Sequence, residues 1–117
     1  MEVALLDITI DSVGDHLVCR PVGELDAFTV GHFRDSLTEL GGGERVLIDL
    51  SGVPFLDSAG LGALIGGVRR AREGGGDVAV YGARPAVARL LHTTGFDRVA
   101  TVSDSEQDAM KALAESS

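Results

Sequence analysis

The first part of the chain alternates between apolar and polar positions, with the period of two that a half-buried β-strand shows. Over residues 3–10, every even position from 6 onward is apolar. A turn over residues 11–15 and a second apolar run over residues 16–21 follow, and together they predict a β-hairpin. We therefore expect an antiparallel pair of strands at the start of the fold, with the first strand at a sheet edge.

The rest of the chain alternates between helical and strand patterns. Apolar positions three, four and seven residues apart predict helices, and short near-continuous apolar runs predict strands that are covered on both faces. These patterns predict helices over residues 30–40, 59–73 and 85–94, strands over residues 46–50, 77–81 and 98–102, and a terminal helix through Leu113 that Ser103 and Glu106 cap.

The predicted element order is β-β-α-β-α-β-α-β-α. Alternation of this kind is typical of an α/β fold with right-handed crossovers and a mostly parallel central β-sheet. The apolar run over residues 46–50 predicts the strand at the sheet centre. With 117 residues and no long linker, the chain is expected to form a single domain over residues 1–117.

Composition narrows the classes of function. A formal net charge of -8 argues against a nucleic-acid partner, because a protein that binds nucleic acid needs clustered Lys and Arg to neutralise phosphates. The first residues lack the pattern of a signal peptide, and no apolar run is long enough to span a membrane. The single cysteine, Cys19, excludes an internal disulfide and a Cys-rich zinc site. We expect a cytoplasmic protein with no membrane partner, no metal and no cofactor.

The run LDSAGLG, residues 56–62, places an acid, a hydroxyl and two glycines between a predicted strand and a predicted helix. A glycine-rich turn at a helix start raises the possibility of a phosphate site, but the spacing disagrees with the dinucleotide-binding motif. Nine residues separate Leu50 from Gly60, and Ile65 stands where the third glycine is needed. The only lysine, Lys111, lies far from this run, which argues against a P-loop.

Ser58 also resembles the nucleophile of a G-x-S-x-G elbow, which lies at a turn from a strand into a helix. Leu56 occupies the position of the first glycine of that motif. None of the three histidines, His16, His32 and His92, stands in a sequence context that supports a catalytic base. We therefore expect no enzyme activity and no catalytic residue.

Asp57 and Ser58 are both favourable N-cap residues, so one of them is expected to cap the helix that begins near Ala59. A cap does not explain the glycines of this helix. Four glycines together cost up to about 4 kcal/mol relative to alanine. A loss of that size indicates a close approach of this helix to the sheet or to another protein. The four are Gly60, Gly62, Gly66 and Gly67.

Two motifs together resemble a known family. The run VLIDLSGVPFLDSAGLGALIGGVRRAREGGGDVAVYG, residues 46–82, resembles the hallmark region of bacterial anti-sigma factor antagonists, which belong to the STAS domain family. The run GELDAFTV, residues 23–30, resembles that family's other signature loop, which precedes the first helix. Since the predicted element order also matches, the resemblance covers essentially the whole chain and implies a STAS-like α/β domain.

The resemblance also implies a function. In that family, the serine of the Asp-Ser-(Ser/Thr/Ala)-Gly-Leu motif is phosphorylated by the cognate anti-sigma factor, which is a serine kinase. The unphosphorylated antagonist binds the anti-sigma factor and releases a sigma factor; phosphorylation breaks the complex, and a serine phosphatase restores it. By position, the phosphorylated residue is Ser58. Matching positions imply partner contacts at Gly23, Glu24, Leu25, Asp26, Asp57, Ala59, Gly60 and Leu61.

Two alternatives stay open. Asp26 is an N-cap near the first helix, a polar contact to the kinase, or a group that orients Ser58. The chain is either an anti-sigma factor antagonist or a STAS scaffold or transporter accessory subunit without a phosphorylation switch. Ala59 stands where serine is frequent in the family, which removes an alternative phosphate acceptor.

Overall fold

The computed structural model describes residues 5–40 and 42–115, and these form a five-stranded sheet with helices on both faces. No helix in these ranges is long and apolar enough to cross a membrane. The strands are β1 Leu6–Val13, β2 His16–Gly23, β3 Arg45–Asp49, β4 Asp77–Tyr81 and β5 Thr101–Ser103. The helices are α1 Val30–Glu39, α2 Ser58–Glu73, α3 Pro85–Thr93, α4 Phe96–Val99 and α5 Glu106–Glu115.

The strands lie in the sheet in the order in which they occur along the chain, β1-β2-β3-β4-β5. β1 and β2 form an antiparallel hairpin, in which Leu6 pairs with Gly23 and Val13 pairs with His16. The other three pairs are parallel, and each of them needs a crossover connection, which helices supply. The predicted hairpin, the edge position of the first strand and the central position of β3 are confirmed.

The two faces of the sheet are covered by different helices. Val46 and Ile48 of β3 enter the larger apolar core, which α1, α2 and α3 cover. Leu47 points to the other face and packs with Ala109 and Leu113 of α5. β3 is therefore buried on both sides, which explains its near-continuous apolar sequence.

The hairpin is longer than its sequence pattern predicts. Residues 3 and 4 of the predicted first strand lie outside the described residues, and β1 continues past residue 10 to Val13. The turn is therefore not residues 11–15 but only Gly14 and Asp15, with Gly14 at φ +59. A glycine at the first position of a two-residue loop matches the twist of the strands. The end of β1 escaped prediction because an exposed edge strand needs no apolar alternation.

The predicted strand over residues 98–102 is wrong at its start. Helix α4 occupies Phe96–Val99, and β5 begins only at Thr101. Gly95 adopts φ +81, which turns the chain from α3 into α4 and lets the Phe96 ring enter the core. The need to bury this ring, which is 1% exposed, decides the local structure.

The predicted capping box of the terminal helix is also wrong. Ser105 is the capping residue of α5, since its hydroxyl accepts a hydrogen bond from the Asp108 N–H at 3.1 Å. Ser103 instead ends β5, where it pairs with Tyr81. The Ser-x-x-acid pattern occurs twice in this segment, and sheet pairing decides between the two copies.

The C-terminal end of α2 contacts the segment after α1 through backbone atoms. A Cβ atom at Gly76 would collide with the Glu44 carbonyl, and one at Gly43 would lie 2.7 Å from the Gly74 oxygen. The N–H groups of Gly43 and Gly76 both donate to the Ala71 carbonyl, at 3.3 and 2.8 Å. Gly43 and Gly76, which follow α1 and α2, thus allow the two loops to touch.

Candidate functional site

The N-terminus of α2 is capped by Asp57. Its Oδ1 accepts hydrogen bonds from the N–H groups of Ala59 at 2.9 Å and Gly60 at 3.1 Å. The backbone of Asp57 is extended, as an N-cap residue requires, and α2 begins at Ser58. The structure therefore selects Asp57 over Ser58 as the cap.

The Ser58 side chain takes no part in this cap. Its side chain is exposed at the first position of α2, and no hydrogen bond within the described residues involves its hydroxyl. No histidine in these ranges is bonded to it, and His92 instead contacts Asp97, with 2.7 Å between Nδ1 and Oδ2. The hydroxyl is free to react with a group that another molecule brings.

The loop of residues 23–29 is held by its own side chains. Asp26 Oδ1 accepts hydrogen bonds from the N–H groups of Phe28 at 2.9 Å and Thr29 at 3.1 Å. The Thr29 hydroxyl donates to the Glu24 carbonyl at 2.7 Å. Thr29 directly precedes α1 but makes no capping hydrogen bond with its side chain. Asp26 instead accepts from the N–H groups two and three residues further on, as an N-cap side chain does, and closes the turn before α1. This loop is therefore a fixed surface feature.

The structure joins this loop to the segment that leads into α2. The Leu25 N–H donates to the Phe55 carbonyl at 3.0 Å, and the Asp57 N–H donates to the Leu25 carbonyl at 3.1 Å. Leu25 and Leu56 form an isolated parallel bridge, and Gly23 donates to the Gly52 carbonyl at 3.0 Å. The two sequence motifs, which lie far apart in the chain, thus form one surface next to Ser58.

The glycines of α2 divide into two kinds. A Cβ atom at Gly60 would lie 2.6 Å from the Leu25 carbonyl oxygen, and one at Gly67 would lie 3.0 Å from Leu37 Cδ1. At Gly62 and Gly66, a Cβ atom would meet nothing within 4 Å in the part of the chain that the structure describes. The close approach predicted from the glycines is therefore made within this chain at Gly60 and Gly67, while Gly62 and Gly66 border open space.

The predicted contact residues differ in exposure. Leu25 and Gly60 are buried. These two residues therefore fix the backbone of the site and offer no side chain to a partner. Glu24 and Ser58 are exposed. The remaining predicted residues are half-buried; they are Gly23, Asp26, Asp57, Ala59 and Leu61.

The charge of the site is negative. The three carboxylates that flank Ser58 in the two motifs, Glu24, Asp26 and Asp57, take part in none of the ion pairs formed within residues 5–40 and 42–115. Asp26 and Asp57 accept only backbone or hydroxyl hydrogen bonds. A complementary partner surface would therefore carry positive charge.

Sequence reasoning missed the apolar side chains around this site. Phe28 is 90% exposed and Phe55 is 49% exposed, and both lie in the two joined segments. Val22 and Leu5 are also exposed. The signal that was available is that Phe28 lies outside the helical stripe of Val30, Phe33 and Leu37, in a polar turn.

Cys19 offers no second reactive group. It lies in the core under α1 and α2, and burial raises the pKa of its thiol to about 11. A buried thiol with a raised pKa is protonated at neutral pH and is a poor nucleophile.

Comparison with known proteins identifies the family. The sequence matches the STAS domain family over residues 7–109, and the chain therefore belongs to that family. It is 32% identical over 100 residues to the anti-sigma F factor antagonist of Paenibacillus polymyxa, which covers 83% of this chain and 86% of that protein.

Solved structures agree with the family. The anti-sigma factor antagonist of Mycobacterium paratuberculosis superposes with a TM-score of 0.82 at 25% identity, covering 93% of this chain and 94% of that one. The antagonist SpoIIAA in its unphosphorylated form gives a TM-score of 0.74 at 19% identity, covering 93% of this chain and 97% of that one, and shows the same fold. The predicted family and STAS-like α/β fold are confirmed.

Proposed function

We propose that this chain is an anti-sigma factor antagonist that is switched by phosphorylation of Ser58. The observation that carries the proposal is the exposed Ser58 hydroxyl at the start of α2, which bonds to no other described residue and lies beside the capping carboxylate of Asp57. The name of the Paenibacillus relative, an anti-sigma F factor antagonist, supports it. In the unphosphorylated state, the surface around Ser58 binds an anti-sigma factor, which then releases its sigma factor.

The switch is a phosphoryl transfer in which this chain is the substrate. The anti-sigma factor, acting as a serine kinase, transfers the γ-phosphoryl group of ATP to Ser58 Oγ. The new Oγ–P bond forms as the bond between the γ-phosphorus and ADP breaks, and the hydroxyl proton passes to a general base of the kinase. A serine phosphatase hydrolyses the Oγ–P bond and restores the hydroxyl. This chain performs no catalysis in the cycle.

The fold tolerates the phosphate. A phosphoserine adds a charge of about -1.5 to -2, and a helix N-terminus stabilises negative charge through its free N–H groups and its dipole. Asp57 already accepts hydrogen bonds from two of those N–H groups, so the phosphate remains on the surface next to a carboxylate. Phosphorylation is thus expected to change the surface and to leave the fold in place.

The added charge weakens the complex. The phosphate adds to the carboxylates Glu24, Asp26 and Asp57, which form no ion pair with the other described residues. Where the partner contacts the Ser58 hydroxyl tightly and places no Lys or Arg beside it, the phosphate is desolvated without a counter-charge. A penalty of about 4 kcal/mol would weaken binding about a thousandfold.

The direct test combines phosphorylation with binding. The chain is incubated with its cognate anti-sigma factor and ATP, and phosphate is located by peptide mass mapping. We expect Ser58→Ala to bind the anti-sigma factor and resist the switch, and Ser58→Asp to bind at least about tenfold more weakly. Ser51→Asp is the matched control, since it adds the same charge to an exposed serine in the preceding loop.

Two outcomes would contradict the proposal. An active kinase that leaves Ser58 unmodified would rule out the switch, and equal affinities of Ser58→Ala and Ser58→Asp would rule out its electrostatic mechanism. Capture of an ATP-binding transporter subunit, with no binding to an anti-sigma factor, would favour the transporter accessory function.

A further inference from the structure

The exposed apolar side chains of this protein are concentrated on one side. Seven large apolar residues are exposed within the described ranges, and four of them lie around the joined segments next to Ser58. Single exposed apolar residues are common on protein surfaces, whereas a group with a polar border marks an interaction surface. The four are Leu5, Val22, Phe28 and Phe55.

Three of these side chains, Leu5, Phe28 and Phe55, line two cavities that share Pro54. Leu5, Phe28 and Pro54 line a cavity of about 360 Å³ that also includes Glu24 and Asp26. Pro54 in turn lines a second cavity of about 190 Å³ together with Phe55. Pro54 therefore connects the region of Phe28 with the region of Phe55.

Phe28 is held in its exposed position by the turn that carries it. Its N–H donates to Asp26 Oδ1 at 2.9 Å, and the next residue, Thr29, is bonded to both Asp26 and Glu24. The ring is nevertheless 90% exposed. A large aromatic side chain on a braced backbone loses little conformational entropy on binding, which is typical of residues that dominate the binding energy of an interface.

The border of the patch indicates the chemistry of its partner. Glu24 is exposed and Asp26 is half-buried, and neither forms an ion pair within residues 5–40 and 42–115. The chain as a whole carries a net charge of -8. A complementary surface is thus an apolar pocket with Lys or Arg at its edge.

We propose that Phe28 is the apolar anchor of the complex with the anti-sigma factor, and that it inserts into a pocket with a basic edge on that partner. This inference rests on the proposed function and adds a division of labour to it. Phe28 supplies affinity in every state of the chain, whereas Ser58 supplies the change in affinity on phosphorylation.

The test measures binding of the full chain to its purified anti-sigma factor by titration calorimetry. We expect Phe28→Ala to raise the Kd at least about 30-fold. The wild-type ring is exposed in the free chain and becomes buried in the complex, and alanine lacks this apolar surface. Phe28→Leu should recover most of the affinity. The control is Val99→Ala, which removes an exposed apolar side chain outside the patch and should change the Kd less than about twofold. The melting temperature of Phe28→Ala should match that of the wild type, because the ring is exposed.

Kinetics and salt dependence separate anchoring from other roles. As a kinase substrate, Phe28→Ala should show a raised KM and an unchanged kcat, which is the pattern of lost uniform binding. Higher salt should lower the affinity of the wild type and of Phe28→Ala for the anti-sigma factor by the same factor. The reason is that salt screens the charged edge and leaves the apolar contact unaffected.

The possible failures are distinguishable. A wild-type chain that binds no anti-sigma factor would overturn the proposed function and this inference with it. Tight binding of Phe28→Ala, combined with loss of binding in Ser58→Asp, would overturn the inference alone. An affinity that does not depend on salt would overturn the basic edge of the partner pocket.

Discussion

The two ends of α2 are both rich in glycine, but they use it differently. At the C-terminal end, Gly74 and Gly76 are pressed against the backbone of residues 42–44. At the N-terminal end, Gly60 contacts the Leu25 carbonyl while Gly62 borders open space. The C-terminal end of α2 is therefore packed against another loop. The N-terminal end is packed only at Gly60 and has an exposed surface at Ser58. The difference shows that glycine content alone does not separate a packing device from a binding surface.

The largest expected effect is at the packed C-terminal end of α2. Gly76→Ala should destabilise the protein by about 3 kcal/mol, because its Cβ atom would collide with the Glu44 backbone carbonyl, which cannot move without separating the two loops. The free energy of unfolding is measured by urea denaturation. Gly75→Ala is the matched control. Its Cβ atom would meet no described residue within 4 Å, but its φ of +94 disfavours alanine, so a loss of about 1 kcal/mol is expected. Equal losses for the two variants would show that the contact is not tight.

The next largest effect is expected at Gly60. Gly60→Ala should cost about 2 kcal/mol, because its Cβ atom would lie 2.6 Å from the Leu25 oxygen and would push the loop of residues 23–29 away from α2. Urea denaturation measures the loss. Gly66→Ala, on the same helix but with open space around its Cβ atom, should show no loss. A neutral Gly60→Ala would mean that the two motifs are not held together here.

The cap is expected to contribute less. Asp57→Ala should cost about 1 kcal/mol, since the N–H groups of Ala59 and Gly60 lose their acceptor. Ser58→Ala is the neighbouring control and should change stability by less than about 0.5 kcal/mol, because the Ser58 hydroxyl forms no hydrogen bond within residues 5–40 and 42–115. Thermal unfolding distinguishes the two. If Ser58→Ala were the more damaging variant, the assignment of the cap would be wrong.

The smallest effect has the opposite sign. Gly62→Ala should stabilise the protein by about 0.5–1 kcal/mol, because alanine is the better helix former and its methyl group would have open space around it among the described residues. The midpoint of urea unfolding should rise while the slope stays unchanged. Binding to the anti-sigma factor sharpens the result: weaker binding of this more stable variant would show that the partner approaches the helix at Gly62. Unchanged binding would place the partner elsewhere.

Local patterns predicted most of the elements because they report which face of a segment is buried. The alternation in the first strand, the helical stripe of α1 and the apolar run of β3 each depend on a single element and its burial. Predictions failed where a distant contact overrode a local pattern. Phe96 is buried in the core, and helix α4 forms where the start of a strand was predicted. Ser103 pairs in the sheet, so Ser105 caps α5 instead.

The residues of the candidate site that belong to the two sequence motifs were predictable. Ser58 and Asp57 follow from the run LDSAGLG, and Asp26 follows from GELD. The exposure of Phe28 did not follow, because a phenylalanine in a short turn is buried or exposed according to what packs above it. Its position depends on the braced turn and on a core that Phe33 and its neighbours already fill.

The sequence by itself determined the order of helices and strands and the chemistry available at the start of α2, a hydroxyl next to a capping carboxylate. These depend on periodicity and capping, which act over a few neighbouring residues. Only the tertiary structure decided that Leu25 bonds to Phe55 and Asp57, which glycines are packed and which are open, and that Phe28 faces solvent beside the site. The reason is that each of these depends on two segments distant in the chain meeting at one place, and that meeting is determined by how the whole core packs.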